Sequence, residues 1–140
     1  MKPKKNDLND DVRDRTRKVA GLYFQGIKEE KPFELWQQFD SKLAKELSLF
    51  ITGRLYGREK IPHTTRQLVT VAVLTALGRT EELRLHILAA LNVGCPVEHI
   101  AEAIFQTFTY AGIPTVNAGL KVLRSVLKEK GMWPLNSQKS

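Results

Sequence analysis

The stretch "GRTEELRLH", residues 78–86, crowds two arginines, two glutamates and a histidine between two apolar runs. Glu82 and His86 are four apart, so on a helix they are neighbours, about 40° apart around the axis. A carboxylate beside an imidazole raises the imidazole pKa and fixes its orientation, which suits proton transfer near neutral pH. The same spacing also describes a surface ion pair worth about 0.3–0.5 kcal/mol, with Glu82 serving the helix dipole. Arg79, at the edge of the stretch, can grip a carboxylate, cap the preceding helix or pair with a glutamate. Two ligands are too few for a metal site, and His63 and His99 stand at no spacing that recruits them.

These residues need a helix to present them. With Thr80 as N-cap, "EELRLHILAALNVG" carries a buried stripe of Leu83, Ile87, Ala90 and Leu91. Glu82 and His86 flank that stripe, where a pocket wall or a subunit contact would lie, and Arg84 points to solvent. Gly94 stops the helix. The preceding segment, "IPHTTRQLVTVAVLTALG", is ambiguous. Its "LVTVAVLT" centre alternates like a strand, whereas its length without a turn signal before Gly78 favours a buried helix. Arg66 and Gln67 stand near its start.

Elsewhere the pattern is helix after helix. A first helix starts from an N-cap at Asp10 or Asp11 and ends near Gly26. Phe33, Trp36, Phe39, Leu43, Leu47 and Phe50 recur at three- and four-residue steps, which predicts one amphipathic helix from Pro32 to about Gly53. "PVEHIAEAIFQTFTYAG" and "TVNAGLKVLRSVLKEKG" supply two more, broken at Gly112–Pro114 and ended by Gly131. The expectation is an all-α domain of about six helices over residues 10–131, with a flexible basic N-terminus at 1–9 and a tail at 132–140.

Composition narrows the function classes. A chain of 140 residues fits one domain. No apolar run is long enough for a membrane span, and the N-terminus lacks the apolar region of a secretory signal. The single cysteine, Cys95, rules out an internal disulfide and any CxxC site. A cytoplasmic location is the default expectation. The net charge of +7 sits at the two ends, +3 over residues 1–18 and +4 over 121–140, around a neutral body. That body holds no basic recognition helix, so nucleic acid is not an expected partner.

Residues 65–119, with the "LGRxxELRxH" signature, the "NxG" helix end and the "YAGxPxxNA" break, closely resemble the carboxymuconolactone decarboxylase family. The likeness extends more weakly over about residues 33–127. It implies an all-helical, AhpD-like fold that oligomerises through helix packing as a hexamer or a trimer, and it resolves segment 62–77 as a helix. The wider superfamily includes AhpD-like thiol peroxidases, whose Glu, CxxC and His positions fall here on Gln67, Arg79, Glu82 and His86. Only the histidine is kept, so a peroxidase is the weaker alternative, beside a non-catalytic oligomeric relative.

The decarboxylase branch implies a small carboxylated lactone as substrate and no cofactor, because the unsaturated lactone is its own electron sink. On that reading His86 and Glu82 are the catalytic residues, and Arg79, Arg66 and Gln67 bind substrate. Around 53–60, "GRLYGREK" lacks a tryptophan associated with that branch, which bears on the exact substrate. Tyr110 and Asn117, in the matching break, suit subunit packing as well as a pocket.

Overall fold

The computed structural model describes residues 5–136 of the chain, with side-chain environments from Asp11 onward. Among the described residues every regular element is helical. No described helix is long and apolar enough to cross a membrane. The chain forms two compact units that divide between Arg66 and Gln67.

In the first unit, α1 (Lys5–Phe24) starts earlier than the expected cap at Asp10 or Asp11. The single amphipathic helix expected from Pro32 onward is instead broken into α2 (Pro32–Gln37) and α3 (Ser41–Ser48). The cause is Asp40, whose extended backbone (φ −153°, ψ 102°) and carboxylate, accepting from the Leu43 N–H at 2.9 Å, make it the N-cap of α3. The break also disperses the predicted apolar stripe: Phe39 is 86% exposed and Phe50 58%.

From α3 the chain runs directly into a π-helical segment, Leu49–Tyr56, which packs against α1. The approach is close because position 53 has no side chain. A Cβ there would overlap Thr16 Oγ1 and stand 3.0 Å from the Val12 carbonyl oxygen. Thr16 cannot simply rotate away, since its hydroxyl donates to that same carbonyl at 2.7 Å. Gly53→Ala is therefore expected to destabilise the protein by about 1–3 kcal/mol, read as a lower denaturation midpoint at unchanged slope.

The second unit holds most of α4 (His63–Ala76), then α5 (Thr80–Asn92), α6 (Val97–Gln106), α7 (Phe108–Ala111) and α8 (Ile113–Glu129). Helices α5, α6 and α7 all pack on α8. Their buried faces meet through Leu83, Ile87, Ile100, Ile104, Val126 and Leu127. At Gly119 of α8 a Cβ would stand 2.9 Å from both Ile104 and Thr75 methyl carbons, so that glycine lets the helix approach its neighbours.

Segment 62–77 is helical as the resemblance implied, but α4 is buried on one side only. Gln67, Val71 and Thr75, four apart, are buried, whereas Val69 and Val73 are half exposed. The strand-like alternation of "LVTVAVLT" was a run of valines shared between two faces of a helix. The helix expected over 96–112 is also broken. The Thr107 hydroxyl bonds back to the Ile104 carbonyl at 2.7 Å, and α7 starts as a separate turn.

Candidate active site

Helices α4 and α5 are joined by a turn whose geometry follows from Gly78. Its φ of +69° places it in the left-handed region. Gly78 N–H then bonds to the Thr75 carbonyl and Arg79 N–H to the Leu74 carbonyl, each at 3.0 Å, which is a Schellman closure. The turn starts α5 at once, with Arg79 and not Thr80 in the N-cap position, its side chain making no capping bond.

Gln67 and His86 meet across this helical hairpin. Gln67 is 1% exposed, and its Oε1 lies 3.2 Å from His86 Nδ1. An amide oxygen can only accept, so Nδ1 carries a proton and Nε2 becomes the nitrogen that exchanges one. Gln67, expected to touch substrate, is the side chain whose oxygen accepts from the His86 ring.

Electrostatics revise the expectation further. The spacing argument anticipated a raised imidazole pKa from Glu82. Instead, burial pushes His86 below its ordinary value of 6.5, and the Glu82 charge offsets only part of that. The reason is geometric. His86 is half-buried, flanked by buried Leu85 and Ile87, whereas Glu82 is exposed one turn earlier, where solvent screens its charge. The lowered pKa favours the neutral imidazole near neutral pH and makes its cation a readier proton donor.

Among the described residues, no hydrogen bond joins the remaining candidates to this pair. Arg79 is exposed at the start of α5. Arg66 belongs to the first unit, where its guanidinium stands 5.8 Å over the Tyr56 ring and Nη2 donates to the Arg58 carbonyl at 3.0 Å. Tyr110 is 88% exposed. Cys95 is buried, and burial raises its thiol pKa, which disfavours a reactive thiolate. Among the described residues, no group of three or more His, Cys, Asp or Glu is placed to hold a metal ion.

One polar pair had no sequence signal. In the first unit, Tyr23, 2% exposed, has its hydroxyl 2.5 Å from His63 Nδ1. The two rings meet edge-on at 5.2 Å, and Tyr56 lies edge-on to Tyr23 at 5.6 Å. Forty residues separate Tyr23 from His63, so no local pattern could have joined them.

The comparisons with known proteins bear on the same region. A family model described as "Carboxymuconolactone decarboxylase family" matches residues 42–125, a span that contains α4, α5 and their turn. A 4-carboxymuconolactone decarboxylase of Acinetobacter baylyi is 36% identical over 104 residues, covering 74% of this chain and 78% of that protein. An uncharacterized 15.0 kDa protein of Paracoccus denitrificans is 34% identical over 80 residues, 56% of this chain and 60% of its own length. The family match takes in most of the chain, the Acinetobacter protein aligns along most of its own length, and the hairpin that joins Gln67 to His86 lies within the matched span. On these grounds the chain belongs to the carboxymuconolactone decarboxylase family.

Proposed function

We propose that this protein is a cofactor-independent carboxy-lyase acting on 4-carboxymuconolactone or a similar small carboxylated lactone. The observation that carries the reading is the Gln67–His86 hydrogen bond, which fixes one imidazole nitrogen and leaves the other to exchange a proton. Kinship to an Acinetobacter protein of that name supports the substrate class.

The chemistry needs one proton. As the bond from the ring carbon to its carboxylate breaks, CO₂ leaves. The electron pair moves through the adjacent double bond to the lactone carbonyl, giving a dienolate. A proton must then reach the carbon next to that carbonyl. His86 is the proposed donor through Nε2–H, and solvent recharges it past the exposed Glu82. A depressed pKa makes the imidazolium a stronger acid toward carbon, at the cost of a smaller charged fraction at neutral pH. Arg79 is the proposed holder of a substrate carboxylate, a task suited to the planar guanidinium.

The test is CO₂ release and loss of lactone absorbance with 4-carboxymuconolactone, followed across pH. Because the donor must be protonated, kcat/KM is expected to fall as pH rises through the His86 pKa, with that limb below 6.5. Glu82 raises this pKa, so Glu82→Gln is expected to move the limb to still lower pH. No turnover, or a limb that ignores the substitution, would count against the assignment.

The reading includes self-association as a trimer or hexamer. Support comes from apolar residues left uncovered within this chain: Val69, Val73 and Leu77, four apart on and just after α4, are 55%, 49% and 65% exposed. Sedimentation at micromolar concentration is expected to show an assembly, and a monomer would remove this part.

A further inference from the structure

Away from the α4–α5 hairpin, the second unit contains an open groove of about 410 Å³ along α8 and the neighbouring face of α6. Its walls include Phe105, Leu120, Leu127 and Trp133, and its polar lining is Asn117 with the two cations Lys121 and Arg124. The tail closes one side. Gly131 (φ +68°) turns the chain back, with its N–H bonded to the Lys128 carbonyl at 3.1 Å and the Met132 N–H to the Leu127 carbonyl at 2.8 Å. This turn brings Trp133 onto the groove. Phe105 and Trp133 remain 50% and 39% exposed, so the aromatic surface awaits a cover.

Charge identifies what would cover it. No aspartate or glutamate lines the groove. The one acid of α8, Glu129, is bonded to Arg84, so it does not neutralise the groove cations. Glu98 and Glu102 of α6 lie outside the lining. Lys121 and Arg124 stand three apart on one face of a helix and have no carboxylate partner among the described residues. Two cations beside an aromatic and aliphatic wall fit an anion with an apolar body. The volume falls within the range of small-molecule pockets and is small for a folded partner. A second copy packing this face on itself would oppose like charges.

We infer that the α6–α8 groove binds a small amphipathic carboxylic acid, its carboxylate on Lys121 and Arg124 and its apolar body against Phe105 and Trp133. This site is separate from the proposed catalytic hairpin and does not depend on the reaction assigned there. It gives the protein a place to sense an organic acid.

The experiment is calorimetric titration of the full-length protein with 2-naphthoate and with its neutral counterpart, 2-naphthalenemethanol. Saturable binding of the acid is expected, with the alcohol weaker by about tenfold or more. The double variant Lys121→Glu/Arg124→Glu changes two exposed side chains, so it is expected to keep the helical circular dichroism and lose at least about tenfold in affinity. Trp133→Ala is expected to weaken acid and alcohol alike, whereas His86→Ala leaves binding unchanged. Equal affinity for acid and alcohol, binding lost in His86→Ala, or no saturable heat would overturn the inference. So would charge reversal that dissociates an assembly, since the groove would then be a contact between copies.

Discussion

His86→Ala is expected to lower kcat for 4-carboxymuconolactone by roughly 10²–10⁴-fold, the span over which a positioned acid or base usually contributes. The residue is half-buried and its ring bonds to Gln67, so truncation removes both the exchanging nitrogen and the group that Gln67 orients. KM is expected to change far less, because carboxylate binding is assigned to Arg79. The two readouts separate the outcomes. A collapse in kcat at steady KM places His86 at the proton-transfer step. A raised KM with steady kcat makes it a binding residue. Unchanged turnover removes it from the site altogether.

Gln67→Leu is the second substitution with a large expected effect, about 10²-fold in kcat, although Gln67 is assigned no direct part in the chemistry. Leucine fills nearly the same space and removes the acceptor for His86 Nδ1–H. The imidazole can then rotate or exchange tautomers, and Nε2 is no longer the sole exchanging nitrogen. Because Gln67 is 1% exposed, no water readily replaces the lost oxygen. Gln67→Glu is the informative partner. It restores an acceptor and adds a negative charge beside the ring, which is expected to raise the His86 pKa and carry the pH limb upward while recovering part of the rate. A purely structural glutamine would lose stability in the leucine variant with no movement of that limb in the glutamate one.

How much of this was legible in the residues varies by element. Most of the α5 stripe was readable because Leu83, Ile87 and Ala90 repeat at helical spacing and are buried. Leu91, expected with them, is only half-buried, and Leu85 and Leu88 are buried outside the stripe. The resemblance correctly resolved α4, whose valines mislead a local reading. The helix from Pro32 was merged with its successor because aromatic spacing outweighed one aspartate, yet a single capping carboxylate was enough to divide it. At the site, Glu82 and His86 could be paired by spacing, but not their energetics, since the desolvation of His86 depends on what buries it. The orienting role of Gln67 was equally hidden. Its contact spans nineteen residues, and at that separation glutamine reads as a filler of buried space.

The turn at Gly78 has one more consequence, for how such a scaffold can change its trade. The two bonds that close the turn run from backbone to backbone, through Gly78 and Arg79 N–H groups. Neither the Arg79 side chain nor that of Glu82 takes part in holding the hairpin, and both are exposed. Those are the two positions that resemble the cysteines of AhpD-like peroxidases. A corner closed by main-chain bonds makes no demand on the side chains at 79 and 82. A dithiol there can give way to an arginine and a carboxylate with the histidine left where it was. Descent within such a lineage can therefore replace the reagents while conserving the mount.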